Sequence, residues 1–162
     1  MNYLGIDNGV SGTLGIVTSD AQQSIFIPQF VFKTQDYTKK VKQIHRIHVE
    51  LLTHWLRSQT EPMRAFIERP MVNPMRFVAT GSALRALEAT LIVLESCAIS
   101  YQFVDSKEWQ RVMLPQGIKG DALKCASKDI GIRLFPQHKD VILGHGDADG
   151  LLIAEWARRN QR

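Results

Sequence analysis

The chain has 162 residues, 44% of them hydrophobic and 22% charged, which predicts one globular domain spanning 1–162. Long disorder, a collagen-like repeat and a disulfide-dense scaffold are excluded by these figures and by a count of only two cysteines. Twenty Lys and Arg against sixteen Asp and Glu leave a net +4, an excess that permits a polyanionic partner without demanding one.

Asn2–Asp7 is short, apolar and followed by Asn8-Gly9, which predicts a strand entering a turn. Thr13–Thr18 alternates as its hairpin partner, Ser24–Ile27 supplies a third strand before Pro28, and Phe30–Phe32 extends that region. The stretch Gln35–Gln43, preceded by Lys33 and carrying Lys39, Lys40 and Lys42, reads as an exposed basic connection. Helical spacing starts at Ile44 and runs through Leu51, Leu52, Trp55 and Leu56, stopping before Glu61-Pro62.

Arg64–Glu68 is a short strand, Pro70 and Pro74 bracket a loop, and a long helix covers Ser82–Cys97. Its apolar residues (Leu84, Leu87, Leu91, Ile92, Val93, Leu94, Ala98) fill more than one stripe, predicting burial on two sides. Ser100–Val104 is a strand, Asp105 or Ser106 caps a helix reaching Met113, and Pro115–Gly120 is a loop. Asp121–Leu134 forms a helix, and a last one spans Asp147–Arg159. This order predicts an α/β fold, a mixed five-stranded sheet with helices on both faces. A right-handed crossover through the first helix would set Arg64–Glu68 beside Asn2–Asp7. Asp7 and Glu68 would then end neighbouring central strands.

The N-terminal Met-Asn-Tyr-Leu-Gly-Ile-Asp has no basic leader ahead of an apolar core, so no secretory signal is expected. The apolar run Ala89–Leu94 is closed off by Glu88 and Glu95, so no membrane span is expected either. Cys97 and Cys125 fall in helical patterns and read as reduced thiols of a cytoplasmic protein.

Three acidic positions invite chemistry, and each has a plain structural explanation. Asp7 opens an Asp-Asn-Gly turn, Glu68 ends a strand before Arg-Pro, and Asp147 and Asp149 suit a helix start. Together they say more. Carboxylates gathered at the centre of a sheet repel one another, and protonation or a divalent cation relieves the repulsion. Oxygen-only ligands favour Mg2+ or Mn2+ over zinc, and such a site suits two-metal phosphodiester hydrolysis.

These residues resemble a known family. Gly5-Ile6-Asp7-Asn8-Gly9 with Gly12 is similar to the first motif of RuvC-type Holliday-junction resolvases, within the RNase H-like nuclease superfamily. Phe66-Ile67-Glu68 resembles the second motif, and Ala148-Asp149-Gly150-Leu151-Leu152-Ile153-Ala154 the C-terminal one. Arg69-Pro70-Met71 and Ser82–Glu88 are similar to the small phage-type branch. The resemblance implies an RNase H-like fold and a metal-dependent endonuclease, with Asp7, Glu68 and Asp149 as ligands and two Mg2+ or Mn2+ ions in each active site. Its setting would be the cytosol of a bacterium or a phage-infected host.

The family places a further acid or histidine three residues before the last Asp, where this chain has Gly146. The choices are His145, four before, and Asp147, two before. Residues i and i+4 share a helix face, which favours His145 as ligand or proton-transfer partner if the last helix reaches back to it; Asp147 makes the better helix cap. An EF-hand calcium loop does not fit, because its last ligand would fall on Trp156. His45, His48 and His54 lack partners for a zinc site and read as solvated helix residues.

For DNA, the basic residues expected to meet phosphates are Arg69 and Arg76 after Glu68, and Lys107, Lys119, Lys124 and Lys128 in the later helices. The family's aromatic residue after the glutamate corresponds to Met71, and Met71 or Phe77 could act as an apolar wedge, with core packing the first expectation for Phe77. A two-fold four-way junction suits a two-fold enzyme, so a homodimer through the Ser82–Cys97 helix is expected. Competing readings are an RNase H-like ribonuclease on RNA–DNA hybrids and a non-catalytic junction-binding protein. A sugar-kinase-like phosphotransferase, which shares a Gly-Ile-Asp-x-Gly start, needs a second domain for which the chain has no room.

Overall fold

A computed structural model describes residues 1–37, 39 and 42–160. Its main sheet has the order β3-β2-β1-β6-β7, built from β1 (Asn2–Ile6), β2 (Thr13–Thr18), β3 (Ser24–Pro28), β6 (Met63–Glu68) and β7 (Ser100–Val104). The first three strands form an antiparallel meander, while β6 and β7 run parallel to β1. The mixed five-stranded sheet expected from the sequence is therefore the one observed. β1 and β6 pair from Asn2 opposite Met63 to Ile6 opposite Ile67, so Asp7 and Glu68 follow at the ends of adjacent strands.

A second, two-stranded sheet joins β4 (Val31–Gln35) to β5 (Gln43–Ile47). The exposed connection expected over Gln35–Gln43 joins these two strands, which take its end residues, whereas the helix expected from Ile44 is corrected. Gln43–Ile47 is a strand through its pairing with Val31–Gln35, and its half-buried Ile44 and buried Ile47, an odd number of residues apart, lie on opposite faces. The helix α1 (Val49–Arg57) begins only after His48, whose ring accepts the Leu51 N–H at 3.3 Å. His45 therefore lies on a strand, His48 caps, and His54 is exposed on α1. Lys39 and Lys42 are exposed in the connection, and Lys40 lies outside the described residues.

The remaining helices are α2 (Phe77–Ser96), α3 (Ser106–Met113), α4 (Asp121–Leu134), α5 (Lys139–His145) and α6 (Asp149–Asn160). Short 3-10 turns at Pro74–Arg76 and Pro136–His138 lead into α2 and α5. The loop expected between Pro70 and Pro74 is present, α2 starts at Phe77 rather than Ser82, and α5 is an element the sequence reading lacked.

Strand alternation divides the core in two. Leu4, Ile6, Ala65 and Ile67 pack with Leu52 and Leu56 of α1 and with Ala86, Val93 and Leu94 of α2. Tyr3 and Phe66 turn the other way and meet Leu151, Leu152 and Trp156 of α6 together with Trp109 of α3. Each such fully buried side chain contributes about 1.5–3 kcal/mol. The same period of two sends Asp7, two residues beyond Gly5, and Glu68, two beyond Phe66, toward the α6 side.

Helix α2 is not buried on two sides as its composition suggested. Ala86, Thr90, Val93 and Leu94 face the sheet, whereas Leu84 and Ile92 are about half exposed. By length and composition alone, Pro74–Ser96 is also long and apolar enough to cross a membrane, a feature hidden in the sequence by the acids on either side of Ala89–Leu94. Its inner stripe is spent on the sheet, as in a helix of a layered α/β fold.

Candidate metal centre

Three carboxylates converge where α6 meets the sheet. Asp7, Asp147 and Asp149 each offer an oxygen, and all three oxygens lie within 4.8 Å of one another. Asp7 comes from the end of β1, with its N–H held by the Thr13 carbonyl at 3.0 Å. Asp149 opens α6, and Asp147 stands just before it with Oδ1 at 3.4 Å from the Asp149 N–H.

Glu68 joins this group electrostatically. Burial, then the charges of Asp149 and Asp147, push its carboxyl up to about 7. The neighbouring Trp109 indole N–H, buried without an aligned partner, opposes that rise. Burial chiefly raises Asp149 to about 6, partly offset by the Ser127 hydroxyl. Asp7 is raised well above the ordinary carboxylate range by burial and by the charges of Asp149, Glu68 and Asp147.

The donor set fits a hard divalent cation. It is all oxygen, its charges are crowded, and among the described residues no lysine or arginine forms an ion pair with any of the four acids. Lys124 only moderates the field at Asp7 and Asp149. Mg2+ and Mn2+ match carboxylate ligands of this kind.

His145 lies elsewhere than the shared-helix argument requires. It is the last residue of α5, and Gly146, at φ +107°, ends that helix before α6 begins. Its Nε2 is 3.6 Å from Asp147 Oδ1. Asp147, rather than His145, completes the three-oxygen cluster.

Beside Glu68 a cleft of about 320 Å³ is lined by Asn8, Arg69, Met71, Arg76 and Thr80. Met71 and Phe77 are each 77% exposed, and Met75 reaches 92%. Core packing of Phe77 is therefore corrected: it projects from the first turn of α2 into solvent. Arg69 is held at 3.0 Å by Asp105, and Arg76 is exposed. Lys107, Lys119 and Lys124 are exposed on α3, the following loop and α4, while Lys128 is half-buried. A larger cavity of about 500 Å³ lies between the β4–β5 pair and α2, away from the acid cluster.

Sequence reasoning passed over Thr13, Ser127, Trp109 and Met75. Ser127 had a readable signal, a polar residue on the α4 face that carries Leu123 and Ile130 inward.

No protein-family model matches the chain, and no curated protein matches it in sequence. Among solved structures, the RuvC of T. thermophilus in complex with a Holliday junction substrate aligns with a TM-score of 0.59. That match is 13% identical and covers 96% of this chain and 92% of the other. The fold is RuvC-like, of the RNase H-like class. A second Thermus thermophilus RuvC structure aligns over 98% of this chain and 96% of its own at 14% identity, with a TM-score of 0.46. In this chain the acid cluster lies where the end of β1 meets the start of α6, next to the end of β6.

Proposed function

We propose that this protein is a metal-dependent, structure-selective endodeoxyribonuclease that nicks four-way or related branched DNA symmetrically. The observation that carries the reading is the convergence of Asp7, Asp147 and Asp149, beside Glu68, at the end of a RuvC-like sheet. Two Mg2+ or Mn2+ ions bound there supply Lewis-acid activation of water and of the leaving oxygen. Asp7, Glu68, Asp147 and Asp149 are assigned as the ligands. His145 steadies Asp147 and serves proton transfer at the edge of the site.

Arg76, Lys107, Lys119, Lys124 and Lys128 are assigned to phosphates, with Arg69 contributing less because Asp105 already holds it. The exposed side chains of Met71, Met75 and Phe77 beside the Glu68 cleft support an apolar wedge against unstacked bases. A homodimer would match the two-fold symmetry of a junction, with the outer face of α2 around Leu84 and Ile92 as its contact. Arg69-Pro70-Met71 and Ser82–Glu88 support the small phage-type branch and a cytosolic setting.

The test is a substrate panel: a synthetic four-way junction, a nicked duplex and an RNA–DNA hybrid, each with Mg2+, Mn2+ or EDTA. Metal-dependent nicking of the junction is expected. Cleavage of the hybrid alone would move the activity to a ribonuclease, and binding without cleavage in any metal would make it a junction-binding protein.

A further inference from the structure

We propose that Ser127 is the positioning residue of the metal centre, fixing the orientation of the Asp149 carboxylate. The proposal rests on the metal-centre reading above and adds a residue from a helix that contributes no ligand. Ser127 lies on α4 and is only 1% exposed. Its hydroxyl donates to Asp149 Oδ1 at 2.5 Å and accepts the Ala148 N–H at 3.1 Å. The hydroxyl oxygen uses one of its two lone pairs on the Ala148 N–H, and its single proton goes to Asp149, whose carboxylate oxygen accepts.

The backbone around Asp149 is already fixed from the opposite side. Thr13 Oγ1 accepts the Gly150 N–H at 3.0 Å, and the Thr13 carbonyl accepts the Asp7 N–H at 3.0 Å. One residue of β2 therefore ties together the two chain segments that carry Asp7 and Asp149. With those segments held, the freedom that remains at Asp149 is rotation of its carboxylate. Ser127 removes it by occupying Oδ1, and among the described residues no hydrogen bond engages Oδ2. The second oxygen is left to coordinate, in the manner of outer partners that orient ligating carboxylates.

A serine that only capped α6 through the Ala148 N–H would affect stability and leave metal affinity alone. The discriminating experiment therefore measures Mn2+ binding by calorimetry and thermal unfolding without metal, on wild type, Ser127→Ala and Ser127→Thr. Ser127→Ala is expected to weaken Mn2+ binding about tenfold to a hundredfold, and Ser127→Thr, which keeps the hydroxyl, to stay within about threefold of wild type. If Ser127→Ala does not fold, Ser127→Cys, of similar shape and a weaker donor, is expected to show a reduced affinity. The same loss should appear in kcat on a four-way junction at saturating DNA, with KM little changed. Wild-type Mn2+ affinity in the folded Ser127→Ala or Ser127→Cys protein would overturn this assignment alone. A wild-type protein that binds no Mn2+ would overturn the metal-centre reading and this assignment with it.

Discussion

Gly5 of β1 and Gly15 of β2 sit directly opposite one another, and α6 rests on both. A Cβ at Gly5 would come within 2.1 Å of the Gly150 carbonyl oxygen, and one at Gly15 within 2.4 Å of the Leu151 Cα. The glycine pair is a seat cut into the sheet. It lets the first turn of α6 approach closely enough to bring Asp149 to Asp7.

Gly5→Ala and Gly15→Ala should each destabilise the protein by about 3 kcal/mol, because the obstacle in both cases is backbone that cannot swing aside. Urea unfolding measures the loss. Metal binding should fall in parallel, since lifting α6 parts Asp149 from Asp7.

The crowded acids predict an unusual pH dependence for the metal-free protein. Asp7, Glu68 and Asp149 all titrate above their ordinary values in the folded state, so that state holds more protons than the unfolded chain. Their contribution is fully present below the ordinary carboxylate range and is lost as pH rises through about 6 for Asp149 and about 7 for Glu68. Thermal scans in EDTA should show this decline, and Mn2+ should restore stability increasingly as pH rises. Asp7→Asn removes one charge and should stabilise the metal-free fold by about 1 kcal/mol while abolishing cleavage.

The exposed apolar side chains beside the Glu68 cleft should matter to activity and little to folding. Met71→Ser and Phe77→Ser are expected to change stability by under about 0.5 kcal/mol, as surface substitutions do. Junction cleavage should drop by about tenfold, equivalent to about 1.4 kcal/mol of lost wedge contact. Equal loss of stability and activity would show that these residues pack rather than probe DNA.

The outer face of α2 should mediate self-association. Sedimentation at micromolar concentration is expected to give a dimer, and Ile92→Glu, at a half-exposed position, to give a monomer that still folds. A wild-type monomer would contradict this role.

The site was legible in the sequence to the extent that it depends on strand ends. Asp7 and Glu68 close two short apolar strands, and period-two alternation fixes the face they reach. The shared-helix condition for His145 fails because a left-handed glycine, Gly146, breaks the chain into two helices where the residue pattern permits one. The strand at Gln43–Ile47 was hidden because Ile44 and Ile47, three apart, match one face of a helix and break the period of two; pairing with Val31–Gln35 nonetheless makes it a strand. Phe77 looked like core by composition. It opens the first turn of α2, whose buried residues begin only at Ala86, and is left in solvent. Ser127 and Thr13 act through hydrogen bonds across more than twenty residues of chain; the helical pattern of α4 marks Ser127 as inward-facing but does not name its partner.

The most direct measurement is strand-specific cleavage of a labelled four-way junction by wild type and by Asp149→Asn in Mg2+. The account predicts paired nicks at symmetric positions near the crossover for wild type, none in EDTA, and junction binding without nicking for Asp149→Asn. Cleavage that persists in EDTA or in Asp149→Asn would contradict it.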